Sequence, residues 1–320
     1  MTTLVTGGTG FVASNVVRTL AERGHEIVCF DLNPPSALLQ EYVKPWASSI
    51  TFIQGDILKQ EDLNELLNKG ITKVVHAAVF TGVLPEVEAG RSRSIVDINV
   101  MGTTNVLELA RQLPIERFPY VSSGSVYGED YAPNEALVED TTPRPQSLYA
   151  LTKYTSELLT RRYGALHGFP TVSTRLGTPY GPMERVTDHR ANQSVLKAWT
   201  GSIVRGEPIE VEDRKVERTF TYVADIAEGI ATVLDAPVLA HDIYNVSGDE
   251  RTTMEGLLNL LSELEPGLRV VDVMPAAPQR STYTLSAARL QRDLGFSTRF
   301  DLRTGISEYL AWRRANNFTE

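Results

Sequence analysis

The chain has 320 residues, a formal net charge of −9 and one cysteine. That length suits one sizeable core with a smaller appended lobe, and the acidic balance argues against nucleic acid or an anionic membrane surface as the main partner. The lone Cys29 lies in the apolar run Ile27-Val28-Cys29-Phe30, which excludes an intrachain disulfide and marks it as a buried strand residue, not a nucleophile.

Residues 3–6 (Thr3-Leu4-Val5-Thr6) read as a strand with no basic region or long apolar segment before them. We therefore expect no signal peptide, no transmembrane span and a cytoplasmic protein. Residues 11–23 have helical periodicity and end at Gly24, and 26–31 form the second strand. Strands at 50–53 and 74–76 flank a polar helical stretch at 61–69; 95–112 carries helical spacing; 120–122 is another strand. Pro119 belongs at that strand's start, because a central proline removes a ladder hydrogen bond. A helix over 152–167 and a strand over 171–175 complete the alternation, which implies a parallel sheet covered on both faces. Beyond Gly177 proline, glycine and charge break the pattern, while Tyr222-Val223-Ala224-Asp225 and Ile243-Tyr244-Asn245-Val246 read as returns to the main sheet. The expected division is 1–176 plus about 220–247 for the main domain, with 177–219 and 248–320 as a discontinuous lobe.

Between the first strand and helix lies Gly7-Gly8-Thr9-Gly10-Phe11-Val12. A glycine-rich turn there lets the backbone approach a pyrophosphate, whose charge is met by the helix N-terminus. Gly7 and Gly10 supply two of the glycines and Ala13 stands at the third position. Asp31, about 20 residues on at the end of the second strand, is placed to accept from the adenine ribose hydroxyls and to repel a 2′-phosphate. Leu32 and Asn33 bring no cation to offset that repulsion, so NAD is expected over NADP.

Tyr149 and Lys153 are four residues apart on a helix and project from one face. A free phenol has a pKa of about 10, too high for a base at neutral pH. Lys153 and a positive nicotinamide ring would lower it by favouring the phenolate, making Tyr149 general base in oxidation and general acid in reduction. No cluster of His, Cys or carboxylates has metal-ligand spacing, so no metal is expected.

These blocks continue in order: Gly55-Asp56-Ile57, His76-Ala77-Ala78, Asn99-Val100-Met101-Gly102-Thr103, Ser122-Ser123-Gly124-Ser125-Val126-Tyr127-Gly128, Tyr180-Gly181-Pro182 and Tyr222 to Ala227. Over essentially its whole length the chain resembles the extended short-chain dehydrogenase/reductases, the NAD-dependent epimerase/dehydratase group of nucleotide-sugar enzymes. The resemblance implies an α/β, Rossmann-type doubly wound sheet with a smaller C-terminal substrate lobe. It implies Ser123 as the catalytic serine beside Tyr149 and Lys153, with Ser122 toward the cofactor and Ser125 toward the substrate. It adds Thr9, Phe11, Val12, Asp56, Ile57, Ala77, Ala78 and Asn99 to the cofactor set. His76, at the end of a buried strand, reads as structural.

Two departures from the family pattern bear on the substrate. Sugar 4,6-dehydratases follow the catalytic Thr with Asp-Glu, whereas Ser123 is followed by Gly124-Ser125. Epimerases usually carry an Asn that reaches the diphosphate where this chain has Thr178. Arg185 and Arg190, followed by Asn192 and Gln193, suit a carboxylate or phosphate, and Arg218 stands where relatives often present a basic residue. The reading is an NAD-dependent oxidoreductase or epimerase acting on a hydroxyl of a sugar, sugar acid or related polyol. A UDP-sugar 4-epimerase with tightly held NAD is the alternative, and a non-catalytic dinucleotide sensor a third. The resemblance also implies a homodimer built from segments 95–112 and 152–167.

Overall fold

The computed structural model describes residues 1–132, 135–190, 193–248, 250–274 and 283–319. Strand β1 (Thr2–Thr6), helix α1 (Phe11–Glu22) and strand β2 (Glu26–Asp31) follow the sequence reading within a residue, because each is a short, mainly apolar run, with glycine closing β1 at Gly7 and α1 at Gly24. Strands β3 (Ile50–Gln54), β4 (Ile71–His76), β5 (Phe118–Ser123), β6 (Thr171–Leu176) and β7 (Ile243–Val246) complete a seven-stranded sheet. Its order is β7-β6-β5-β4-β1-β2-β3 and every ladder is parallel. Pro119 is the second residue of β5. The β4–β5 pairing skips it, with Lys73 opposite Arg117 and His76 opposite Tyr120 on either side.

Two apolar layers cover the sheet. On one side Val16, Val17 and Leu20 of α1 pack with Ile226, Ile230 and Val233 of a later helix. On the other, Ile57, Val106, Leu107 and Phe118 share a cluster with the partly buried Leu159 and Tyr163. The expected helix at 95–112 is interrupted: α2 (Pro85–Val96) and α3 (Thr103–Ala110) are joined by a π-turn at Asp97–Gly102. Such turns recur at functional sites, and this one turns Asn99 into the interior. Helix α4 (Leu148–His167) begins four residues before the expected 152, at a Ser147 side-chain cap.

Tyr222 to Asp225 does not return to the main sheet. Thr221 and Tyr222 pair with Pro179 and Tyr180 in a separate two-stranded ladder. Helix α6 (Val223–Asp235) starts at once and lies against α1, after α5 (Val195–Arg205). The apolar run there is the buried face of a helix, whose short stretch periodicity alone cannot distinguish from a strand. A separate core joins Leu196 and Trp199 of α5 to Met254, Leu257 and Leu261 of α7 (Met254–Leu264) and Ile306 and Tyr309 of α8 (Leu302–Ala315). The strand order reverses between β1 and β4, and a crevice opens at the carboxyl ends of those strands.

Candidate active site

A continuous cleft of about 1190 Å³ runs from the β1–α1 turn to the second core. Ordinary small-molecule sites span roughly 300–1,000 Å³, so this one has room for a dinucleotide and a second ligand. Gly7, Thr9, Gly10, Phe11, Val12, Asp31, Asp56, Ile57, Ala77 and Ala78 all line it.

The turn fits a pyrophosphate. Gly7 has φ +68, and a Cβ there would lie 2.6 Å from the Ala78 Cα, so only glycine lets the two strand ends approach. Gly10 caps α1 with no side-chain acceptor, which leaves the first N–H groups of the helix available to an anion. The Asp31 carboxylate is held by the Thr9 N–H (3.0 Å) and the Asn33 N–H (2.9 Å), at the distal end of the cleft.

The candidate reacting groups sit where β5 meets α4. Ser123 closes β5, and its Oγ accepts the Ser125 N–H at 3.2 Å, leaving its own proton to donate. Tyr149 and Lys153 lie in the first two turns of α4 and are both buried. Burial pushes the Tyr149 phenol up; the facing Ser123 hydroxyl and the Arg190 guanidinium pull the other way. Lys153 is the surprise. Its ammonium donates to the Val121 carbonyl at 2.7 Å and rests 4.9 Å over the Tyr120 ring, so the cation that acts on Tyr149 here is Arg190. Burial pulls Lys153 down to about 7, opposed by Glu157 one turn along the helix.

Other expectations are redistributed. Ser122 is buried at the cleft with its hydroxyl donating to Glu157. Asn99 does not line the cleft. Its side-chain amide bonds both backbone groups of Phe80 and the Thr152 hydroxyl, so it braces the wall from behind. Arg185 donates to the Thr9 carbonyl at 3.2 Å, which places it over the glycine-rich turn and not in the substrate half. Arg190 bonds the buried Glu184 carboxylate (3.2 Å) and lies 5.2 Å over the Phe11 ring. Ser125, Thr178 and Arg218 line the far half, and the Ser125 Oγ is buried there without a protein partner. Asn192 lies outside the described residues.

His76 is fully buried between the Thr6 and Thr103 hydroxyls, and burial holds it neutral with a pKa pulled down to about 3. Its place is structural, as its position predicts. Burial likewise raises the Cys29 thiol far above the range of a nucleophile. Among the described residues no group of three or more His, Cys, Asp or Glu is placed to hold a metal, and no helix is long and apolar enough to cross a membrane.

The family model described as the NAD dependent epimerase/dehydratase family matches residues 3–247. The chain belongs to this family. It is thus an NAD-dependent enzyme of the epimerase and dehydratase type. A putative UDP-glucose 4-epimerase of Methanocaldococcus jannaschii is 29% identical over 99% of each chain. The UDP-glucose 4-epimerase of Thermus thermophilus, solved with NAD, superposes with a TM-score of 0.83 at 26% identity, covering 97% of this chain and 98% of that one. The UDP-glucose 4-epimerase of Thermotoga maritima, solved with UDP-glucose, shares the fold with a TM-score of 0.87 at 22% identity, over 99% of this chain and all of that one.

Within this family the cleft also bears on which chemistry the chain can support. A side chain at Gly124 would start 3.1 Å from the Leu176 carbonyl and 2.6 Å from Leu285 Cδ1, so an Asp beside Ser123 would require the Leu285 side chain to move. Gln146, Phe220 and Tyr283 also line the cleft and carried no signal in sequence. Tyr283 donates to the Gly124 carbonyl at 2.8 Å from 159 residues away, a contact no local pattern encodes.

Proposed function

We propose that this enzyme is a nucleotide-sugar epimerase that keeps its NAD through the catalytic cycle. The observation that carries the reading is the segment 182–190, pinned at three points around the dinucleotide half of the cleft. The Pro182 carbonyl accepts from Asn15 on α1 (3.0 Å), Arg185 reaches Thr9, and the His189 carbonyl accepts the Thr81 N–H (2.7 Å). A net dehydrogenase must exchange NADH every cycle, and a strap tied to both walls opposes that. The substrate's half is assigned to the lobe of 177–219 and 248–320.

Held by the Gly7–Gly10 turn and Asp31, NAD would supply a reversible hydride acceptor for the sugar carbon. Tyr149 takes the proton of the ring hydroxyl as it is oxidised and gives it back on reduction. Ser123 donates to the same oxygen, and Lys153 belongs with the nicotinamide ribose. The ketone, free of the ring hydroxyl's stereochemistry, turns within the wide substrate half and is reduced on its other face. Incubation with UDP-glucose is expected to yield UDP-galactose with no NADH in solution and with NAD released only on denaturation. Free NADH accumulating in step with product would assign a net dehydrogenase instead.

The two arginines have separable effects. Arg185→Ala is expected to speed NAD loss from the purified protein on dialysis with the substrate KM little changed. Arg190→Ala is expected to raise that KM. An Arg185→Ala protein that holds NAD as long as the parent removes the cofactor assignment.

The partner is a second copy of the chain. Met101 beside α3, and Leu151 and Leu158 on α4, are large apolar side chains left exposed on neighbouring helices. Leu151→Glu with Leu158→Glu is expected to convert a dimer to a monomer in light scattering, and a parent protein that is itself monomeric refutes the assembly.

A further inference from the structure

Behind Lys153 lies a charge that the reaction as described does not use. Glu157 is on the same face of α4 one turn later, 3% exposed. Its Oε1 accepts the Ser122 hydroxyl and Arg175 Nε (3.0 Å), and its Oε2 accepts Arg175 Nη2 (2.7 Å). Arg175, on β6, is itself 1% exposed and lies 4.7 Å over the Tyr127 ring. A buried pair of this kind contributes little net stability, because desolvation offsets the attraction. Its worth lies in what it holds. Ser122 is the residue before Ser123, so the bond from Glu157 pins the end of β5 that presents the catalytic hydroxyl.

The groups around Lys153 come from several elements. His76 of β4 is neutral; Tyr120 and the Val121 carbonyl of β5 lie against the ammonium; Arg175 of β6 is bound to Glu157; Tyr149 and Glu157 share α4 with it. Among these Glu157 is the anion.

We propose that Glu157 is a positioning residue for the hydride chemistry, anchoring Ser123 through Ser122 and holding Lys153 as an ammonium. Arg175 serves it by balancing its charge and orienting both oxygens. The proposal rests on the Tyr149–Lys153 reading of the site. Burial pulls Lys153 down to about 7 and Glu157 opposes that pull, so loss of this anion leaves less of the lysine charged at neutral pH. Below that pH the ammonium is present; above it the amine is free and its support of the nicotinamide ribose weakens.

The test is a titration of Lys153 in protein purified with its NAD, using 13C NMR of the lysine Cε with Lys153→Arg to assign the resonance. Glu157→Gln is expected to lower the midpoint by about one pH unit, the low end for loss of an adjacent opposite charge. The alkaline limb of the pH profile for UDP-glucose epimerisation should move down by the same amount. Where Glu157→Gln alone does not fold, the double variant Glu157→Gln/Arg175→Gln is read against Arg175→Gln, so that the missing cation is common to both and the same downward shift is expected. A variant that is less active but keeps the parent midpoint and limb shows a merely structural residue and overturns the proposal. Parent protein that titrates as expected yet does not turn over UDP-glucose removes the substrate reading and leaves the Glu157 measurement standing.

Discussion

Replacing Tyr149 with phenylalanine is expected to lower epimerase turnover by roughly 10²–10⁴-fold, the range lost with a positioned general acid or base. The phenol lies in the first turn of α4, where the helix N-terminus adds positive potential. The Ser123 hydroxyl and Arg190 act in the same sense, against a burial that raises its pKa. Phenylalanine keeps the ring's volume in a site where Tyr149 is 9% exposed, so neither the fold nor the bound NAD should be disturbed. The measurement is turnover of UDP-glucose beside the NAD content of the purified variant. A Tyr149→Phe enzyme that retains parental activity while holding NAD transfers the proton role to another group.

The second large effect is on stability. Arg175→Met is expected to cost roughly 3–5 kcal/mol, the penalty for leaving one partner of a buried pair uncompensated. Glu157 would then be a carboxylate bonded mainly by Ser122, 3% exposed. The measurement is the thermal midpoint of Arg175→Met beside the parent's. A variant that melts with the parent would mean that Glu157 has found another cation.

Much of the fold was legible because its signals are local. β2 occupies the predicted 26–31, and β1 and α1 match within a residue, since a short apolar run or a period of 3.6 is read from a dozen neighbours. The failures come from contacts made over long separations. The helical spacing of 95–112 continues through Asp97–Gly102, but packing of Asn99 onto Phe80 and Thr152 widens that turn into a π-helix. Tyr222 to Asp225 has the composition of a strand and the fate of a helix, because α1 offers it an apolar face.

The sequence alone determined the parallel α/β architecture, the glycine turn and the acidic residue at the end of β2, and it put forward Ser123, Tyr149 and Lys153 as the candidate catalytic set. Each of these sits at a strand end or helix start, where residue type and spacing express the backbone geometry directly. Only the tertiary structure decided which partner each charge takes. Arg185 went to Thr9, 176 residues away; Ser122 went to Glu157, 35 residues away; Lys153 turned to Val121 and left Arg190 nearest in effect to Tyr149. A buried charge or hydroxyl takes whichever oppositely disposed group the packed chain brings within hydrogen-bond reach. That choice is made across the sheet and between the lobes, at sequence separations where spacing carries no information.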